Sequence, residues 1–166
     1  MIHNFDTGPL SHRELQASFQ DAKLLSGLAP PQMLRLTTAG TIRRFSAREI
    51  ILSQGAEMNE IYVIQRGMVS VGLFQEQNPG LWLYVSGPNS VVDLMALLDP
   101  PSAPLSIHAL TEVEALAVPR EVLREVLREE PALETEILRS LCARLNLIAC
   151  VAIQEFLQPP PGPSIN

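Results

Sequence analysis

Three histidines and two cysteines are the side chains of this sequence best suited to metal binding, proton transfer or redox change. Their spacing supports none of these. His3, His12 and His108 are widely separated, whereas a metal site on a β framework needs histidines and carboxylates brought together as a ligand set. His3 and His12 are expected in solvent. His108 follows Ile107 in a strand-like run and is expected to be a half-buried sheet histidine with a local partner. Cys142 and Cys150 are eight residues apart with no CxxC spacing, so no metal or thioredoxin-like motif is present. An iron–sulfur cluster would need four cysteines. Both are expected to pack as buried thiols. A redox or cross-dimer role would require an exposed, reactive thiol instead. Trp82 and Tyr84 alternate with Leu81 and Leu83, which reads as strand packing. Arg120, Arg124 and Arg128 recur every four residues beside Glu121, Glu125 and Glu129, the pattern of a solvated ion-pair face. No catalytic constellation remains, so the chain is not expected to be an enzyme, and no cofactor is expected.

The elements that position these residues follow from periodicity. Between Phe45 and Phe74, Ile50–Ile51, Ile61–Ile64 and Val69–Leu73 read as short strands. Gln54–Gly55 and Arg66–Gly67 separate them, where glycine admits the positive φ of a tight turn. Leu81–Val85, Leu105–Leu110 and Val113–Val118 add three more strands. Val91–Leu98, apolar except for Asp93, reads as a buried helical turn or strand. Repeated short antiparallel strands imply a sandwich or a rolled barrel. Upstream, residues 1–9 form a loose arm and Leu10–Leu28 carries rough helical spacing ended by Gly27 and Pro30–Pro31. A short helix is expected around Gln32–Leu36, and Thr37–Phe45 leads into the strands.

From Arg120 the pattern turns helical. EVLREVLREE sets Val122, Leu123, Val126 and Leu127 opposite charges. Pro131 interrupts it and suits the first turn of a new helix. That helix runs from about Ala132 to Leu157, ~39 Å at 1.5 Å per residue, and ends at the prolines of residues 159–166. Leu138, Leu141, Leu145, Ile148 and Ala152 step by three and four, an a/d seam for a partner helix. Leu133, Ile137, Cys142, Leu147 and Val151 broaden the stripe. One sheet does not easily cover two sides of so long a helix, so a homodimer is expected.

Composition fits this outline. The 166 residues carry 46% apolar and 18% charged side chains, an ordinary globular balance. A formal charge of -6 argues against a surface devoted to nucleic acid. No apolar run approaches a membrane span of ~18 residues. The start lacks signal-peptide character, and the cytoplasm is the default location.

The order of elements, with Leu25–Leu28, Arg44–Ala47, Ile50–Ile51, Gln54–Gly55, Ile61–Ile64, Gly67, Val69–Val71, Gly87, Ala96–Leu98, Ala109–Thr111 and Val118–Arg120, resembles the cyclic-nucleotide-binding-domain superfamily in its bacterial Crp/Fnr branch. The likeness covers roughly residues 24–145. It implies an α+β fold that is mainly β: a double-stranded β-helix, or jelly roll, with N-terminal helices and a long C-terminal dimerisation helix. On this reading residues 10–130 form a sensor domain, 131–158 the dimerisation helix and 159–166 a proline-rich tail.

Two departures stand out. In nucleotide binders a Gly-Glu pair holds the ribose and an Arg followed by Ser or Thr holds the cyclic phosphate. Alignment on Ala96–Leu98 puts Asp93–Leu94 in the first place, and counting back from Ala109–Thr111 puts Ala103–Pro104 in the second. No Lys or Arg occurs between Arg66 and Arg120, so the expected loop supplies no charge-assisted hydrogen bond, worth ~1.5–3 kcal/mol. Cyclic AMP is therefore not expected to bind in the usual mode. The expected ligand pocket, for an unidentified small apolar effector, comprises Asp93, Leu94, Met95, Ala96, Ala103, Pro104 and Ser106. The second departure is the tail, which stands where the family's regulators continue into a helix-turn-helix domain. Direct DNA binding is accordingly not expected. The alternatives are a ligand-free module that pairs with full-length regulators and the sensor half of a longer transcription factor.

Overall fold

The computed structural model describes residues 18–19, 27–75, 78–98 and 102–157. Two facing sheets form the body. One runs β1 (Ser18–Phe19), β6 (Asn78–Ser86), β5 (Val69–Gln75), β8 (Ser106–Ala109) and β3 (Ile50–Leu52); the other runs β2 (Thr41–Phe45), β9 (Val113–Pro119), β4 (Glu60–Arg66) and β7 (Val91–Val92). All pairings are antiparallel except β1 on β6. The expected mainly-β roll with flanking helices is the architecture found.

The glycine turns behave as the sequence requires. Gly55 and Gly67 have φ of 84° and 85°, a region costly for any residue with a Cβ. Gly67 lets the chain pass from β4 to β5 within two residues. Tyr62, Ile64, Val69, Val71, Tyr84 and Val92 then converge between the sheets. A second apolar cluster lies under the helices and includes Leu36, Ile61, Val118, Leu123, Val126 and Ile137. β2, at one margin, is mostly exposed and carries two ion pairs, Arg43–Glu60 and Arg44–Glu114. Charge of this kind discourages pairing with another chain.

Helix α1 (Pro30–Ala39) starts earlier and ends later than the expected Gln32–Leu36. Pro30–Pro31 opens this helix, because the first turn needs no N–H donor there. Gln32 helps by accepting the Ala29 N–H through Oε1 at 2.8 Å. The expected helix over Leu10–Leu28 mostly lies outside the described residues, but Ser18–Phe19 is a parallel strand on Val85–Ser86 and contradicts a helix at that point. Two residues of edge pairing have outweighed a weak helical period. Val91–Leu98 divides into strand β7 and a 3-10 turn, Leu94–Leu98.

Helix α2 (Arg120–Glu129) buries Leu123, Val126 and Leu127. Its charged face is only partly idle. Glu125 and Glu129 both take Arg35 of α1, at 3.0 and 2.6 Å, and Arg124 donates to the Leu97 carbonyl at 3.0 Å. Helix α3 (Pro131–Leu157) follows with the expected limits. Among the described residues no helix is long and apolar enough to cross a membrane.

Candidate effector segment and the face of the long helix

Asp93 closes β7 and enters the 3-10 turn with a φ of 66°, a conformation Asp tolerates better than most residues. Its carbonyl accepts the Ala96 N–H at 2.9 Å, while carboxylate Oδ2 is buried with no hydrogen-bond partner among the described residues. Burial disfavours the charged form and pushes this carboxyl up to about 7. Leu94 and Ala96 are buried in the cluster beneath the helices, and Met95 points outward.

Ala103, Pro104 and Ser106 occupy the stretch where a phosphate-binding pair would stand. Ala103 is buried, and its backbone is joined to the Gly55 turn: Gly55 N–H donates to the Ala103 carbonyl and Ala103 N–H to the Ala56 carbonyl, each at 2.8 Å. Ser106 Oγ accepts the Gln54 N–H at 2.9 Å. Pro104 is exposed and has no N–H to offer. The polar groups of this segment are thus committed to closing the chain's own turn. Leu94, Ala96 and Ala103, from the segment's two halves, are buried in one apolar cluster.

Two hollows stand out, and neither is lined by Asp93, Ala103 or Ser106. An apolar one between the helices and the roll, walled by Leu28, Leu36, Ile61, Leu123 and Leu133, holds about 20 Å³, room for about one water molecule. A larger open groove of about 670 Å³ lies along Arg44, Phe45, Arg66, Thr111 and Glu114. Its mixed charges, including the Arg44–Glu114 pair at 2.8 Å, select neither sign of ligand.

A cation does reach the body, from a place sequence reasoning overlooked. Arg144 on α3 is 5% exposed. One guanidinium nitrogen, Nη2, donates to the Val91 carbonyl at 2.6 Å, and its carbon lies 5.6 Å from the Tyr84 ring centroid, within cation–π range. The available signal was helical phase. Arg144 lies seven residues after Ile137 and eleven after Leu133, on the face those two bury against the roll. The long helix is thereby tied to β7 two residues before Asp93.

The same helix presents a second face. Leu138 and Leu145 are 58% and 65% exposed, and Ile153 is 58% exposed. Leu141 and Ile148, expected in the same seam, are half-buried against the chain's own two clusters. The side chain of Ala152 lies outside the described residues. Cys142 and Cys150 are both exposed, which overturns their expected role as buried packing thiols: the roll covers only one side of α3, and neither cysteine is on it. His108 is half-buried in β8, where burial lowers its imidazole below the ordinary value. Trp82 is partly covered and Tyr84 is buried. No group of three or more potential metal ligands occurs among the described residues.

Comparison with known proteins gives a consistent picture. The family described as "Cyclic nucleotide-binding domain" matches residues 42–130. A CRP-like cAMP-activated global transcriptional regulator of Mycobacterium tuberculosis is 25% identical over 125 residues, covering 75% of this chain and 56% of the regulator. The chain therefore spans little more than half the length of that relative. Glutaminase 2 of Bradyrhizobium diazoefficiens is 29% identical over 136 residues, 81% of this chain but only 21% of the glutaminase. Among solved structures, the Thermus thermophilus catabolite activator protein superposes with a TM-score of 0.64 at 25% identity, over 80% of this chain and 62% of that one.

Proposed function

The chain belongs to the cyclic nucleotide-binding domain family, and on that premise we propose that it is a non-catalytic regulatory module of the Crp/Fnr type. Its roll is the sensing body, and α3 is both the output lever and the pairing surface. One observation carries this reading: α3 has two apolar faces. Leu133, Ile137 and Arg144 are buried against the roll, while Leu138, Leu145 and Ile153 face away from it. A helix so divided transmits movement of β7, through the Arg144–Val91 bond, to whatever it pairs with. Any effector works only by favouring one arrangement of α3 over another.

The pairing partner in this reading is a second copy. Leu145 sits mid-seam, and Leu145→Glu is expected to weaken self-association at least about 100-fold, near 2.7 kcal/mol. Sedimentation at micromolar concentration should give a dimer for the wild type and a monomer for the variant. Equal masses would remove the pairing role.

Cyclic nucleotides are not the effector in the usual mode. The loop that would hold a phosphate carries Ala103 and Pro104, and its neighbouring polar groups are already bonded to the Gln54–Gly55 turn. Millimolar cyclic AMP, cyclic GMP or cyclic di-GMP should leave the melting temperature unmoved. A ligand of ~10 μM affinity would add about 2.7 kcal/mol at that concentration, a rise of about 5–10 °C for a chain this size. A rise of that order would reverse this part of the reading and make Arg144 the first candidate for the phosphate contact.

The burial of Leu94, Ala96 and Ala103 favours a second reading, in which the roll takes no effector and the module acts by pairing alone, including with longer regulators of the same family.

A further inference from the structure

We propose that Cys142 is a disulfide site that locks two copies of this chain together across their symmetry axis. The inference rests on the pairing of α3 proposed above and adds to it a covalent, oxidant-dependent state.

The argument begins with helical phase. At about 100° per residue, taking Leu138 as zero, Leu145 falls at about −20°, Ala149 at about +20°, Cys142 at about +40° and Ile153 at about +60°. All five are exposed. The buried row, Ile137, Arg144 and Leu133, falls between about −100° and −140°. The exposed stripe is therefore centred on about +20°, nearly opposite the roll, with Cys142 only about 20° from its midline. Since Leu141 and Ile148 lean on the body, the free line runs Leu138, Cys142, Leu145, Ala149. Its 4-3-4 spacing is that of a heptad seam, with leucines at d and Cys142 and Ala149 at a.

Two-fold symmetry supplies the partner. In an isologous pair whose helices run in the same direction, each midline residue faces its own copy. With Cα atoms about 2.3 Å from each helix axis and axes about 8–10 Å apart, the two Cys142 Cα atoms lie about 4–6 Å apart. A disulfide requires about 4.4–6.8 Å. Cys150 is also exposed but sits about 100° from the midline, which puts its two copies about 11 Å apart by the same geometry, too far to bridge.

The chemistry balances with a peroxide as oxidant. The thiolate of one Cys142 attacks a peroxide oxygen, the O–O bond breaks, and a sulfenic acid forms as hydroxide leaves and is protonated to water. The partner's Cys142 thiolate then attacks that sulfur; the S–S bond forms and the S–O bond breaks, releasing a second water. The two sulfurs give up two electrons and the peroxide accepts them. A dithiol returns the pair to two thiols by exchange.

The test uses the whole chain treated with hydrogen peroxide and separated on a non-reducing gel. The expected product migrates at twice the chain mass and reverts with dithiothreitol. Cys142→Ser should lower its yield at least about tenfold, while Cys150→Ser changes it less than about twofold. Leu145→Glu at the same concentration should also suppress it, which separates a seam-directed bond from random collision. A cross-link that survives Cys142→Ser, or none in a protein that sediments as a dimer when reduced, overturns the inference and leaves the pairing reading intact. A reduced protein that stays monomeric at high micromolar concentration overturns both.

Discussion

Gly67→Ala is expected to destabilise the fold by about 3–5 kcal/mol, a large fraction of an ordinary domain's stability. Two causes add. Gly67 has a φ of 85°, where a residue with a Cβ is strained by about 1–3 kcal/mol. A Cβ built there would also lie 2.0 Å from the Glu112 carbonyl oxygen and 2.9 Å from Thr111 Oγ1. The carbonyl is backbone and cannot turn aside, so the turn must open and disturb the adjoining Met68–Thr111 and Met68–Leu110 hydrogen bonds. Overpacking of this kind costs about 1–3 kcal/mol more. Gly55→Ala is the control. It has nearly the same φ, 84°, with nothing within 4 Å of the added atom, and is expected to cost only about 1–2 kcal/mol. Urea titration of both variants measures the difference. Equal losses would mean that the close approach at Gly67 contributes nothing.

The second large effect is a pH dependence centred on Asp93. Burial raises its folded-state pKa from 3.8 to about 7. Between about pH 4 and 7 the folded chain therefore holds a proton that the unfolded chain has released. Stability from this group is fully present below about pH 4, falls as pH rises through that window, and is flat above about 7. Three pKa units correspond to about 4 kcal/mol, and the partial exposure of Asp93 reduces this to about 2–3 kcal/mol. Asp93→Asn removes the titration while keeping a residue type that accepts positive φ. It is expected to exceed the wild type by about 2–3 kcal/mol at pH 8 and to match it closely near pH 3. Subtracting the two stability curves cancels the exposed ion pairs common to both. Parallel curves across this range would show that the Asp93 carboxyl titrates normally.

Much of the framework was legible without coordinates. Glycine placement marked the turns at Gly55 and Gly67 because glycine alone takes positive φ without strain; the β-branched and aromatic run Ile61–Ile64 marked β4 between them, and alternation marked β5 beyond them. Pro131 marked the start of α3. The start of α1 was misread because a proline pair both stops one helix and suits the first turn of the next; only capping by Gln32 and packing on α2 decide between the two. β1 was missed because two residues carry no period.

The candidate site divides along the same line. That residues 67–119 contain no Lys or Arg follows from composition, and it already deprived the expected phosphate loop of its cation. Which side of α3 meets the roll did not follow. A helix with apolar residues on two sides has two equivalent local solutions, because 3.6 residues per turn fixes the angles between side chains but not the direction of the body. Tertiary packing chose the face of Leu133, Ile137 and Arg144. That choice drew a guanidinium onto Val91 and Tyr84 and turned Cys142 outward between Leu138 and Leu145. The order of strands and turns is thus local chemistry, written in glycine, proline and alternation. The burial of one arginine and the exposure of one cysteine are consequences of what the rest of the chain packs against.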